Sequence, residues 1–209
     1  MKQPNIVIVD YGVGNTQSVW NAVRALGYRK LRISCVADDI LNADALILPG
    51  VGAFAACASN LRERKLKPVL DEAVLVRKKA ILGICVGMQL MATASEENGV
   101  HDGLNWIPGR VVRLEPPEKY AVPHVGWNNI EQRRGDVLFD RVPEAPNFYF
   151  DHGYHYRCDD RFITADCDYG IRVTAAIQRE NIRGVQFHPE KSQNNGLKVF
   201  RSFLNSVAS

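Results

Sequence analysis

Short apolar runs separated by helical segments constrain this chain more than any other feature. Three of them, Ile6-Val7-Ile8-Val9, Ala45-Leu46-Ile47-Leu48 and Ala80-Ile81-Leu82-Gly83-Ile84, show no polar alternation, and a further strand is expected at residues 31–36. A strand exposed on one face alternates apolar with polar residues; these runs are apolar on both faces. Helical segments are expected at residues 16–26, with Asn15 or Thr16 as cap and Gly27 as stop, and at 53–62, 67–76 and 86–94. The pattern predicts an α/β fold with a mostly parallel central sheet flanked by helices.

The second half changes character. Residues 107–186 read as strands separated by turn signals such as Arg133-Arg134-Gly135-Asp136 and Arg179-Glu180-Asn181. They predict an antiparallel elaboration of the same domain. A final strand, Gly184-Val185-Gln186-Phe187, precedes a closing helix at 195–207 that carries Leu197, Phe200, Phe203 and Leu204 on one face. With no linker and no internal repeat, residues 1–209 are expected to form a single domain.

Several function classes drop out. A net charge of +3, with scattered basic residues, lacks the stripe and interleaved aromatics of a nucleic-acid binder. No apolar stretch reaches the roughly 18 residues of a membrane span. The chain runs from Lys2 almost directly into its first strand, so no signal peptide is expected. Five cysteines, Cys35, Cys57, Cys85, Cys158 and Cys167, have no CxxC spacing, which points to a reducing cytoplasm rather than to zinc or disulfides.

One cysteine stands apart. Gly83-Ile84-Cys85-Val86-Gly87 sits where an apolar strand meets a helix, in the form of a nucleophile elbow with cysteine in place of serine. The helix N-terminus favours a thiolate there. A buried cysteine in a glycine-flanked turn would look the same. A thiolate also needs a base and an orienter. His188 follows the last strand at the end where α/β sites lie, and Glu190 stands two residues on, across Pro189. Taken alone, His188-Pro189-Glu190 would also fit a surface turn. Oxyanion donors are expected from the Val86 N–H and from Gly50, Val51 and Gly52 after a buried strand, though that loop alone is also a plain turn. Gly12-Val13-Gly14 fails as a dinucleotide fingerprint because Gln17 takes the third glycine position.

Together these residues resemble the class I, triad-type glutamine amidotransferases, whose signatures are the elbow followed by Met88-Gln89 and the strand-terminal Phe187-His188-Pro189-Glu190. Within that class the pattern is similar to the glutaminase subunits of imidazole glycerol phosphate synthases. The likeness runs through Asp10-Tyr11-Gly12-Val13-Gly14-Asn15, Pro49-Gly50-Val51-Gly52, Pro123-His124-Val125-Gly126-Trp127-Asn128 and His188-Pro189-Glu190-Lys191-Ser192.

The resemblance implies a flavodoxin-like fold and a Cys85–His188–Glu190 triad that hydrolyses glutamine without a cofactor or metal. It implies glutamine contacts at Gln89, Glu97 and Tyr154. It further implies that ammonia passes to a (β/α)8-barrel cyclase of histidine biosynthesis, which makes imidazole glycerol phosphate and AICAR, docked at Asn15, Trp127, Tyr149 and Lys191. A paralogous branch serving amidino-sugar synthesis is the alternative acceptor. Two departures stand out: His152-Gly153-Tyr154 lacks the hydroxyl residue usual before that tyrosine, and Asp151 replaces a small apolar residue.

Overall fold

The computed structural model describes residues 3–207; Met1, Lys2, Ala208 and Ser209 lie outside them, and with them the start of the chain on which the signal-peptide reading rests. The strands in order are β1 (Ile6–Val9), β2 (Leu31–Ser34), β3 (Ala45–Gly50), β4 (Ala80–Cys85), β5 (Ala94–Ser95), β6 (His101–Asp102) and β7 (Gly109–Arg113). They continue as β8 (His124–Asn129), β9 (Glu131–Gln132), β10 (Asn147–His152), β11 (Tyr154–Cys158), β12 (Ile163–Asp168), β13 (Arg172–Arg179) and β14 (Ile182–Val185). The α-helices are α1 (Thr16–Ala25), α2 (Ala37–Leu41), α3 (Phe54–Glu63), α4 (Leu66–Asp71), α5 (Val86–Gln89) and α6 (Gln193–Asn205).

Eight strands form the central sheet in the order β2-β1-β3-β4-β14-β13-β12-β9. The pairs β1–β2, β1–β3, β3–β4 and β4–β14 are parallel, and from β13 outward the pairing turns antiparallel. Every residue of β1 and β3 is buried, as an apolar run covered on both faces requires. A four-stranded sheet, β11-β7-β5-β6, and the ribbon β10-β8 build the elaboration. The α/β architecture expected from the apolar runs is therefore present, antiparallel elaboration included.

The expected helix over 67–76 is α-helical only to Asp71 and continues as a π-helical turn over Glu72–Val76, and the largest departure follows Cys85. The helix expected over 86–94 stops at Gln89. The chain at 104–106 returns to take its carbonyls: Leu104 N–H donates to Leu90 O, Asn105 to Ala92 O and Trp106 to Met91 O. Those carbonyls are then unavailable to a longer helix. Asn15 does occupy the N-cap of α1, but its side chain makes no capping bond.

Glycines fix the elbow by contact rather than by turn conformation. A Cβ on Gly87 would lie 1.8 Å from Leu48 O, and one on Gly50 would lie 2.5 Å from Gly87 N. The start of α5 thus rides directly on the backbone of β3. Gly87→Ala is expected to cost about 3 kcal/mol or more, because the added Cβ would meet the Leu48 backbone, which has no soft response. A thermal unfolding scan checks it; a midpoint equal to wild type would contradict this packing.

Candidate active site

The carboxyl ends of β1, β3, β4 and the segment after β14 converge at one edge of the central sheet, where open α/β sheets place their ligands. A cleft of about 450 Å³ lies there. Cys85, Val86, His188, Gln89, Glu97 and Tyr154 all line it, together with Val51 and Gly52. Residues separated by about a hundred positions in sequence are brought together.

Cys85 ends β4 at φ 53°, ψ −112°, a conformation side chains other than glycine rarely adopt. Strain of this kind is characteristic of a nucleophile held on a strand-to-helix turn. The other cysteines differ. Burial pushes Cys57 up to about 11, and Cys158 and Cys167 up to about 12, so these three stay thiols. Cys35 is exposed on the surface and does not line the cleft.

His188 is placed by three backbone ties. Its N–H donates to Tyr149 O at 2.8 Å, its carbonyl accepts from Ser192 Oγ at 2.6 Å, and Ser192 Oγ accepts from Tyr149 N at 3.0 Å. Pro189 then starts a short 3-10 turn over Pro189–Lys191 that swings Glu190 back toward the ring. Glu190 Oε1 meets His188 Nδ1 at 2.8 Å, with both side chains almost wholly buried. Glu190 Oε2 is buried and has no hydrogen-bond partner among the described residues, so His188 is the group that answers this charge. Burial alone would lower the pKa of His188. Hydrogen bonding and charge from Cys85 and Glu190 outweigh it and raise the pKa to about 10.

The other buried histidines behave oppositely. Burial lowers His124 and His155 to about 4 and His152 to about 3. His152 Nδ1–H donates to Tyr154 O at 2.8 Å, so its Nε2 must accept, from His124 Nδ1–H at 3.1 Å. His124 Nε2 is left as the acceptor toward Asn128 Nδ2 at 3.4 Å. Burial keeps these three rings neutral, His152 among the residues that line the cleft, and His188 is the one whose protonation is favoured.

The oxyanion candidates divide. Val86 N–H opens α5 directly after Cys85, and Val51 and Gly52, the latter at φ 85°, face the cleft. Gly50 does not line it; it pairs with Cys85 across β3–β4 and packs beneath Gly87. Tyr11, to which the sequence reading assigned no role, anchors this loop: its buried hydroxyl donates to Pro49 O at 2.6 Å, and burial keeps the phenol protonated.

Glu97 has a task beyond the cleft. Its Oε2 accepts from Phe54 N at 2.7 Å, capping α3 directly after the loop. Gln89 Nε2 donates to Tyr154 O and to Gln186 Oε1, both at 3.0 Å, leaving its amide oxygen without a partner among the described residues. Gly153 lines the cleft, and a Cβ there would meet only Pro123 Cβ at 3.8 Å. The missing hydroxyl is therefore not imposed by packing.

Beside the cleft mouth lies an aromatic–lysine patch. Trp127 and Tyr149 pair across β8–β10 with ring centroids 6.2 Å apart, and Lys191 Nζ sits 5.2 Å over the Tyr149 ring. Trp127 is 46% exposed, high for so large an apolar side chain. Lys191 also reaches Asp151 Oδ2 at 3.7 Å, which gives the unexpected aspartate a partner. Asn15, at the start of α1, lies outside the cleft lining.

A cysteine on a strand-to-helix turn and a buried histidine–glutamate pair meet at the carboxyl end of a largely parallel sheet, an arrangement suited to acyl transfer. The family model for class-I glutamine amidotransferases matches residues 7–207, and the chain belongs to that family. It is 47% identical over 202 residues to imidazole glycerol phosphate synthase subunit HisH 2 of Vibrio vulnificus, covering 97% of this chain and 94% of that protein. It is 45% identical over 205 residues to subunit HisH of Zymomonas mobilis, covering 96% and 95% respectively. Among solved structures, a chain of PurLQS from Thermotoga maritima shares the fold at a TM-score of 0.74 and 19% identity, covering 98% of this chain and 99% of that one.

Proposed function

We propose that residues 1–209 form one glutaminase domain, the subunit that supplies ammonia to an imidazole glycerol phosphate synthase. The observation that carries this reading is the placement of Cys85 and His188 in one cleft, with Glu190 buried behind the ring, beside the exposed Trp127–Tyr149–Lys191 patch.

The chemistry follows from the geometry. The Cys85 thiolate attacks the side-chain amide carbon of glutamine, and the oxyanion is met by the Val86 N–H and the Val51–Gly52 loop. Imidazolium His188 gives its proton to the departing nitrogen, and ammonia leaves a thioester on Cys85. His188, now neutral, takes a proton from water as the water attacks the thioester, and glutamate is released. Glu190 holds the tautomer throughout. Gln89, through its free amide oxygen, and Glu97 receive the glutamine ammonium, and Tyr154 closes the wall. Every atom comes from glutamine or water, so no cofactor enters.

Ammonia then leaves toward a (β/α)8-barrel cyclase docked on Asn15, Trp127, Tyr149 and Lys191, in a cytoplasmic heterodimer. Among the described residues no helix is long and apolar enough to cross a membrane, which accords with that setting. The experiment is glutamate release by the purified chain, with and without the cyclase subunit and its ligand. Strong stimulation is expected. Full-rate cleavage without the partner would instead mark a free-standing cysteine hydrolase, and no stimulation in an active chain would move the ammonia to another acceptor. Trp127→Ala is expected to weaken the complex by about 2 kcal/mol, roughly 30-fold in Kd. A titration showing unchanged affinity would remove Trp127 from the interface.

A further inference from the structure

Gln186 is fully buried, one residue past β14 and two before His188, between the apolar Val185 and Phe187. A buried amide must find partners or lower stability. Here both ends are used: Oε1 accepts from Gln89 Nε2 at 3.0 Å, and Nε2 lies 3.7 Å from Cys85 Sγ.

The first bond dictates the second. Gln89 Nε2 is itself committed, since the same group donates to Tyr154 O, which also receives His152 Nδ1–H. Were the Gln186 amide flipped, two NH2 groups would face each other and an amide oxygen would face the sulfur. The arrangement therefore permits one orientation, with an N–H directed at Sγ. A neutral thiol is a weak acceptor, whereas a thiolate is a charged one, so this bond is strong only when the sulfur is ionised.

Resting on the reading of Cys85 as nucleophile, we propose that Gln186 is a further residue of the catalytic machinery: its amide N–H stabilises and aims the Cys85 thiolate. Hydrogen bonding to the charged form favours that form. The donor acts in the resting enzyme and again when glutamate departs and the thiolate returns; in the thioester the sulfur carries no charge and the bond weakens. Gln89 is thereby an orienting residue for the thiolate as well as a wall of the cleft.

The test is the pH dependence of Cys85 alkylation by iodoacetamide, read by mass on the Cys85 peptide in the full chain, for wild type, Gln186→Met and Gln186→Glu. Methionine keeps the volume and removes the donor; glutamate sets a carboxylate against the sulfur. The Gln186→Met midpoint is expected about one pH unit higher, with alkylation roughly tenfold slower below both midpoints. Gln186→Glu should move it further in the same direction. Superimposable profiles in Gln186→Met with a native circular-dichroism spectrum overturn the proposal. If that variant does not fold, an unshifted Gln186→Glu profile overturns it equally. A wild-type Cys85 left unlabelled by a reactive glutamine analogue would refute the nucleophile reading itself, a different result from an unshifted variant.

Discussion

Replacing Cys85 with alanine is expected to abolish glutamine-dependent synthesis by the complex while leaving ammonia-dependent synthesis intact. In the proposed mechanism the sulfur is the atom that forms the thioester, and Cys57, beside the Val51 loop, is held as a thiol by burial, with its Sγ 3.5 Å from Val51 O. The loss should be on the order of 10⁴-fold or greater in glutamine turnover. The fold should survive, because the elbow is set by Gly83, Gly50 and Gly87 rather than by the cysteine side chain. Parallel assays with glutamine and with an ammonium salt, on the same complex, give the answer. Equal loss of both activities would make Cys85 a structural residue.

Glu190→Gln has the second largest expected effect, through the proton rather than the nucleophile. The carboxylate accepts from His188 Nδ1 at 2.8 Å and leaves Nε2 to face the chemistry. An amide can present its NH2 to the same nitrogen and so stabilise the wrong tautomer. Turnover should fall on the order of 10³- to 10⁴-fold. A signature in stability accompanies it. Because His188 is raised from the ordinary imidazole value of about 6.5 to about 10, its contribution is fully present below the ordinary imidazole range and is lost as pH rises toward 10. The wild type should therefore exceed Glu190→Gln in Tm most near about pH 6 and by less at each higher pH toward 10. A gap that stays constant over this range would mean that His188 is not the proton-linked partner of Glu190.

Much of this was legible because the decisive signals are local. The elbow carries its glycines at fixed offsets from Cys85, and His188 and Glu190 lie within three residues of each other at a strand end. The parallel sheet was legible for the same reason, since a strand buried on both faces shows it in its own composition. Contacts made across the fold were not. Nothing in the sequence near Tyr11 tells that its hydroxyl closes on Pro49 O, 38 positions away. Gln186 sits inside an apolar strand-like run, and its link to Cys85 spans 101 positions. The helix after Val86 was expected to run to Ala94, whereas the returning 103–107 segment claims the carbonyls of Leu90, Met91, Ala92 and Thr93. Glu97 was singled out only through resemblance; its capping of α3 appears only once Phe54 N is placed beside it.

The proposed mechanism requires that Cys85 become acylated by glutamine. Incubating the purified chain with a diazo-ketone analogue of glutamine and mapping the adduct by peptide mass tests it most directly. A single covalent adduct on the peptide containing Cys85, suppressed by excess glutamine and absent in Cys85→Ala, is the predicted result. An unmodified Cys85, or an adduct on Cys35 or Cys57 that glutamine does not suppress, would contradict the account.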